Sequence, residues 1–251
     1  MYYKPLLFTL CVIIQISCLG TTAVYSLSPI AHIHSPFKQK FAIPRQSQAL
    51  SLAKGEIEFV KEINPEHALD GIEQFSHLWL LFMFHENLEQ GFSEKVRPPR
   101  LGGNKKMGVF ATRSTFRPNG IGMSLVENLG FNQQRLKVGG IDLLDATPII
   151  DIKPYLPYAD SQPNALAGYA EQAPSNLLSV KYDNSTLKAL AKCEAQFSDF
   201  SALLENILSQ DPRPAYKKAK ADTKTYHLSL YSSDVHWQVH NNTVMVLSID
   251  I

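Results

Sequence analysis

A chain of 251 residues has room for one large domain, or for a medium domain followed by a small one. With 45% hydrophobic and 19% charged residues it is not a disordered chain. With 24 Lys and Arg against 23 Asp and Glu it carries no uniform basic coat, so any nucleic-acid contact must gather its cations on one face. Three cysteines, two of them (Cys11 and Cys18) in an apolar N-terminal stretch, exclude a disulfide-stapled scaffold and a Cys-rich zinc site.

Met1 to Ala23 has the form of a secretory signal. Lys4 is a positive start, Leu6 to Ile14 is an apolar run broken only by Thr9, and Thr21-Thr22-Ala23 supplies small residues for cleavage. The run is shorter than the ~20 apolar residues that span a membrane. Three readings stand side by side: a start codon assigned upstream of a true start near Val24 or Leu27, a real export signal, and an ordered helix.

From Ser28 onward the pattern is that of short strands. Ile30 to Ile33 alternates and is stopped by Ser35-Pro36, and Glu56 to Val60 alternates polar and apolar as a half-buried strand does. Phe75 to His85 is the most apolar stretch, and its aromatic content favours strand over helix. Met107 to Thr112, Ile121 to Leu129, Arg135 to Leu144 and Ile149 to Ile152 continue the series between Gly, Asn and Pro punctuation. Such a series predicts a mainly β fold, either sandwich or closed barrel. Asp160 to Ser175 reads as a connection. After it come a strand at Leu177 to Tyr182, a helix capped by Asn184 or Ser185, and a second helix. This last carries Phe200, Leu203, Leu204, Ile207 and Leu208 at helical spacing and ends at Asp211-Pro212. Thr225 to Tyr231 and Val235 to Ile251 read as strands, the latter folded at Asn241-Asn242. The expected domains are an extension at 1–27, a β unit at 28–160 and a small α+β unit at 161–251.

The sharpest electrostatic feature is the run Lys95, Arg97, Arg100, Lys105, Lys106, Arg113 and Arg117, with no acid between Glu94 and Glu127. Guanidinium groups on a Pro- and Gly-stiffened loop suit phosphate contacts, against the plainer reading of a solvated face. A second cluster, Arg213, Lys217, Lys218, Lys220 and Lys224, is either a further backbone contact or a solvated turn. The eight histidines make no ligand-spaced set, so no metal is expected. The chain has no nucleophile elbow, P-loop or Rossmann glycine motif. Asp142 and Asp145, three apart at a strand end, suit either acid–base work or the satisfaction of turn amides.

Six segments together resemble one family. They are Phe41-Ala42-Ile43-Pro44-Arg45-Gln46, Leu69 through Trp79, Arg97 through Asn104, Gly108 through Asn119, Asp151-Ile152-Lys153-Pro154-Tyr155 and Asp211-Pro212-Arg213-Pro214-Ala215-Tyr216. In this order, from about Ile30 to the end, they are similar to the TsaA-like or TrmO family of S-adenosylmethionine-dependent tRNA methyltransferases. The resemblance implies a compact antiparallel β-barrel that binds S-adenosylmethionine without a Rossmann fold, a small C-terminal α+β domain and a homodimer. It implies methylation of N6 of N6-threonylcarbamoyladenosine next to the anticodon of threonine tRNA. Position by position, the implied cofactor contacts are Pro44, Arg45 and Gln46, then Phe84 and His85, then Arg113. Ser124 or Leu125 follows, and last the run Asp142, Leu143, Leu144 and Asp145 with Thr147. Two positions depart from the family pattern, Gly120 in place of Pro and Ala146 in place of Gly; the latter matters if that backbone needs a positive φ.

The resemblance gives the other features roles. A sulfonium methyl is already electrophilic, so the protein must chiefly align it and exclude water. The acceptor nitrogen is delocalised into a carbamoyl group, which makes a general base useful; His85 and Asp145 are the candidates. The anticodon arm would be met by Arg97, Arg100, Lys105, Lys106 and Arg117, extended by Arg213, Lys217 and Lys218. A tRNA enzyme belongs in the cytoplasm and off the membrane, which favours the misassigned start codon. The alternatives are a methyltransferase acting on another RNA or a small molecule, a non-catalytic S-adenosylmethionine- or RNA-binding module, and an exported β-barrel protein.

Overall fold

The computed structural model describes residues 12–18, 21–132, 134–172, 177–218 and 223–251. Lys4, Cys11 and Lys220, along with the end of the expected connection at Ser175, lie outside them. At the N-terminus β1 (Val12–Cys18) pairs with β2 (Thr21–Leu27) as an antiparallel hairpin, so these described residues are strand and not helix.

A six-stranded closed barrel follows, built from β3 (Ala31–His34), β4 (Lys54–Phe59), β5 (His77–Met83), β8 (Ile121–Asn132), β9 (Arg135–Gly139) and β10 (Pro148–Pro154). Its order around the barrel is β10-β3-β4-β9-β8-β5, every neighbour antiparallel, so no edge is left open. Period-two alternation sets the faces. Ala31, Ile33, Ile57, Leu78, Leu80, Phe82, Val126, Leu136 and Val138 are buried, while Glu56, Glu58, Arg135 and Lys137 point outward and pair there. The barrel expected from the resemblance is present.

Between β5 and β8 a small ladder, β6 (Lys95–Val96) with β7 (Met107–Gly108), carries the Pro- and Gly-containing basic loop. The strand expected over Met107 to Thr112 stops after Gly108, because Val109–Ala111 turns into a 3-10 helix whose end is bonded by Thr112 Oγ1 to the Val109 carbonyl at 2.8 Å. The strand expected over Arg135 to Leu144 ends at Gly139. Gly140, at φ +67, breaks the ladder and starts the loop that matters below.

The first two helices are single turns, α1 (Pro65–Ala68) and α2 (Pro157–Asp160). The C-terminal elements are β11 (Ser179–Tyr182), α3 (Leu187–Gln196), α4 (Phe200–Ser209), α5 (Ala215–Lys218), β12 (Tyr226–Leu230), β13 (Ser233–His240) and β14 (Thr243–Asp250). They form a sheet of order β11-β14-β13-β12, with β11 parallel to β14. Neither Asn184 nor Ser185 caps α3: both lie in a 3-10 turn, Asn184–Thr186, that leads into it and is itself capped by Asp183, whose carboxylate accepts from Ser185 N at 2.9 Å. In α4 the five apolar residues at helical spacing are all buried. That helix ends where Asp211 takes φ +51, a left-handed conformation that Asp tolerates, and Pro212 prevents its continuation.

This layer is docked on the segment between β3 and β4. Tyr231 N donates to Pro36 O at 2.8 Å, Gln210 Nε2 donates to Leu50 O at 2.6 Å, and Phe41 stacks on Tyr226 with centroids 6.4 Å apart. The end of α4 is thereby held over residues 36–52.

Candidate functional site

Where β5 leaves the barrel, the chain runs on through Phe84 and His85. These two, with Pro44 and the β9–β10 loop (Asp142, Leu143, Leu144 and Thr147), wall a cavity of about 200 Å3. Phe82 and Phe84 meet edge to face at 5.2 Å. Gly122 on β8 makes that possible: a Cβ there would stand 2.4 Å from the Phe82 ring and 2.9 Å from Phe84. Phe84 N donates to Gly120 O at 2.8 Å, with Gly120 at φ +59, a value proline cannot adopt.

The β9–β10 loop is clamped rather than free. Ser35 Oγ donates to Leu143 O at 2.8 Å, Asp145 N donates to Phe37 O at 2.8 Å, and Ala146 N donates to Ile33 O at 2.9 Å. Thr147 Oγ1 closes the turn on Leu144 O at 2.7 Å. Ala146 has φ +60, the left-handed region that costs an L-residue about 1–2 kcal/mol.

Two titratable groups in the cavity wall are displaced from their ordinary values. Burial pushes the Asp142 carboxyl up; the hydrogen bond from Ser124, backbone N–H groups including that of Ser47, and the charge of Arg113 pull the other way. Burial holds the His85 imidazole below its ordinary value, opposed by the charge of Glu86 and a hydrogen bond to the Met83 backbone. His85 is therefore neutral near pH 7, the state in which an imidazole accepts a proton. Arg113 donates to Gln46 Oε1, which joins two of the sequence-selected residues, neither of which lines the cavity.

The cations divide between two surfaces. Lys95, Arg97, Lys105 and Lys106 are exposed on the β6–β7 loop. Next to them Phe110 is 73% exposed, with the Arg117 guanidinium 5.7 Å from its ring centroid. Arg45, Arg100, Lys40 and Lys218 instead line a separate cleft of about 520 Å3 between the barrel and the end of α4.

Comparison with known proteins gives the family. The tRNA-methyltransferase O N-terminal domain matches residues 32–161 and the TrmO C-terminal domain matches residues 175–251. The chain belongs to the TrmO family. It is 45% identical over 230 residues to the tRNA (adenine(37)-N6)-methyltransferase of Escherichia coli (strain K12), covering 90% of this chain and 98% of that protein. It is 47% identical over 213 residues to a protein of Pseudomonas aeruginosa named putative S-adenosylmethionine-dependent methyltransferase RcsF, with 85% and 92% covered. The crystal structure of TrmO from Pseudomonas aeruginosa superposes with a TM-score of 0.76 at 38% identity, covering 90% of this chain and 98% of that one.

Not every residue expected from the TrmO motifs reaches the cavity. Pro44, Phe84, His85, Asp142, Leu143, Leu144 and Thr147 line it. Ser124 stands behind, with its hydroxyl 2.6 Å from Asp142. Asp145 does not line it: its carboxylate accepts from Ser35 N at 2.8 Å and Lys38 Nζ at 2.6 Å, which makes it part of the loop clamp and unsuited to act as a base. Leu125 alternates to the outer barrel wall beside Met123, away from the cavity, because Ser124 takes the inward position. Arg45 lies on the larger cleft. Arg213 is no RNA contact: it is 4% exposed, its guanidinium bonded to Asp211 at 2.8 and 2.9 Å. Arg100 is exposed but already donates to the Ala170 and Gln172 carbonyls. Sequence reasoning missed Lys40, Ile43, Phe82, Met83, Glu86, Asn87 and Thr115 in the cavity wall. Ile43 lay inside a quoted motif and was passed over because aliphatic residues carry no chemical signal of their own.

Proposed function

We propose that this chain is an S-adenosylmethionine-dependent tRNA methyltransferase that transfers a methyl group to N6 of N6-threonylcarbamoyladenosine beside the anticodon of threonine tRNA. The observation that carries the reading is the cavity walled by Phe84, His85 and the clamped Asp142–Thr147 loop in a chain with both TrmO domains. The residues suit S-adenosylmethionine: aromatic and apolar side chains for an adenine face, and a half-buried carboxylate, Asp142, oriented by Ser124 and by backbone N–H groups, as the acceptor for ribose hydroxyls or an ammonium group.

When bound, S-adenosylmethionine supplies an electrophilic methyl group. The chain's own work is then positioning. The loop clamp of Ser35, Phe37 and Ile33 fixes the wall, Ser124 orients Asp142, and Gly122 lets Phe84 close over β8. Neutral His85 stands in the wall as the group to take the proton that leaves N6. The exposed cations of the β6–β7 loop track the phosphates of the anticodon arm, and Phe110 offers a face on which an unpaired base stacks.

We extend the reading to a cytoplasmic homodimer built of two units, 28–160 and 161–251. Met123, 57% exposed on the outer wall of β8 beside Leu125, gives that wall an apolar face suited to a second copy. Sedimentation at micromolar concentration tests the dimer, with a Met123→Lys variant expected to dissociate. The activity is tested by incubating the purified chain and labelled S-adenosylmethionine with threonylcarbamoylated and unmodified threonine tRNA, then analysing nucleosides by mass spectrometry. Methyl on the threonylcarbamoyl nucleoside is expected. Label on another RNA, or none at all with donor bound, overturns the reading.

A further inference from the structure

The cleft between the barrel and the C-terminal layer has a charge imbalance that the proposed reaction does not explain. Arg45 comes from the β3–β4 segment, Arg100 from the turn at Pro99–Leu101, and Lys218 from the end of α5; all three line one cavity of about 520 Å3. The carboxylate there, Asp211, has both oxygens engaged by the buried Arg213. Arg100 is committed to the Ala170 and Gln172 carbonyls at the mouth. The Arg45 guanidinium has no hydrogen-bond partner among the described residues, and Lys218 Nζ reaches only Gln210 O, at 3.5 Å. Burial lowers both their pKa values, and Arg45 and Arg213 lower that of Lys218 further, against the opposing charge of Asp211. Like charges gathered along one cleft are unfavourable until an anion enters it.

The cleft shares a wall with the cavity proposed for the cofactor. Lys40, Ile43 and Pro44 wall both, and Lys40 is held between them by Glu86, through a 2.7 Å bond to its carbonyl and a 3.5 Å contact with its carboxylate. Arg45 follows directly on Ile43 and Pro44, so it stands beside the wall that the two cavities share. We infer that this cleft holds the carboxylate of the acceptor's N6 substituent, with Arg45 as the planar fork and Lys218 as the second cation. The inference rests on the proposed function and names what that site reads on its substrate. The threonylcarbamoyl group ends in one free carboxylate, a few bonds from the nitrogen to be methylated. A guanidinium matches that group with two parallel hydrogen bonds. A backbone phosphate is the less suited occupant, because this cleft adjoins the proposed donor cavity, whereas Lys95, Arg97, Lys105 and Lys106 lie apart from both on the β6–β7 ladder and its loop.

The test uses the full chain and two anticodon stem-loop oligonucleotides, one carrying N6-threonylcarbamoyladenosine and one with the threonine carboxylate converted to its carboxamide. The unaltered chain is expected to prefer the carboxylate acceptor by about tenfold or more in kcat/KM. Arg45→Gln and Lys218→Gln are expected to bring that ratio toward one by slowing the carboxylate acceptor more than the carboxamide. Arg45→Lys is expected to retain part of the preference. A ratio near one in the unaltered chain overturns the assignment. So does equal slowing of both acceptors in the variants. Weaker S-adenosylmethionine binding by calorimetry would then point to the donor's own carboxylate, and a shallower salt dependence of oligonucleotide binding to a phosphate. Transfer to neither oligonucleotide by the unaltered chain overturns the methyltransferase reading and the assignment together, whereas transfer without discrimination overturns the assignment alone.

Discussion

Ser124 Oγ donates a 2.6 Å hydrogen bond to Asp142 Oδ1, joining the middle of β8 to the loop that follows β9. The carboxylate is half-buried, so this donor is hard to replace by water. Ser124→Ala is expected to cost about 1–2 kcal/mol in chemical denaturation and to weaken S-adenosylmethionine binding in calorimetry. Unchanged donor affinity would mean that Asp142 needs no orienting partner.

Because burial raises the Asp142 pKa, the folded chain holds that proton more tightly than the unfolded chain. The stability this contributes is complete below the ordinary Asp value and is lost as pH rises through the raised value. Asp142→Asn is expected to be more stable than the parent at neutral pH, to lose that stretch of pH dependence, and to bind S-adenosylmethionine more weakly. Thermal melts across the acidic range check the first two.

His85 has the opposite sign. Its lowered pKa favours the neutral form, so its contribution to stability is present above the ordinary imidazole value and is lost as pH falls through the lowered one. The methyl-transfer rate is expected to rise across the same interval and then level off. His85→Gln is expected to remove that limb and to slow transfer by roughly a hundredfold or more. A variant with the parent's pH profile would remove His85 from proton transfer.

Ala146 is exposed and sits at φ +60. Ala146→Gly relieves the left-handed strain, loses little packing, and gives back part of the gain through the greater freedom of the unfolded chain. A net stabilisation of about 0.5–1 kcal/mol is expected, read as a higher melting temperature.

Lys105 and Lys106 are exposed at the tip of the basic loop. Replacing both by Ala is expected to reduce the slope of log affinity for threonine tRNA against log salt by roughly 1–2, while leaving S-adenosylmethionine affinity intact. An unchanged slope would show that the loop does not meet phosphates.

The strands of the barrel were legible because each has one buried face. Glu56-Ile57-Glu58 alternates visibly, the aromatic content of Phe75 to His85 favours strand, and Phe200 to Leu208 keeps helical spacing. Val109–Ala111 was misread as strand, since Val and Phe favour strands and only the Thr112 bond to Val109 O marks the turn. Among the polar residues, Asp142 and Asp145 were indistinguishable by type and spacing. One faces the cavity, and the other is consumed by Ser35 and Lys38, which are more than a hundred residues away in sequence.

Sequence alone determined the β-rich barrel, the helical and stranded tail, and the TrmO motifs, because periodicity and motif order are properties of neighbouring residues. Tertiary structure alone decided the fate of each charge. Arg213 is buried against Asp211, the Arg45 guanidinium has no hydrogen-bond partner among the described residues, and Lys105 stays in water. The cost of a charge depends on what packs over it. Here that is set by the docking of the end of α4 onto residues 36–52, a contact no local pattern encodes.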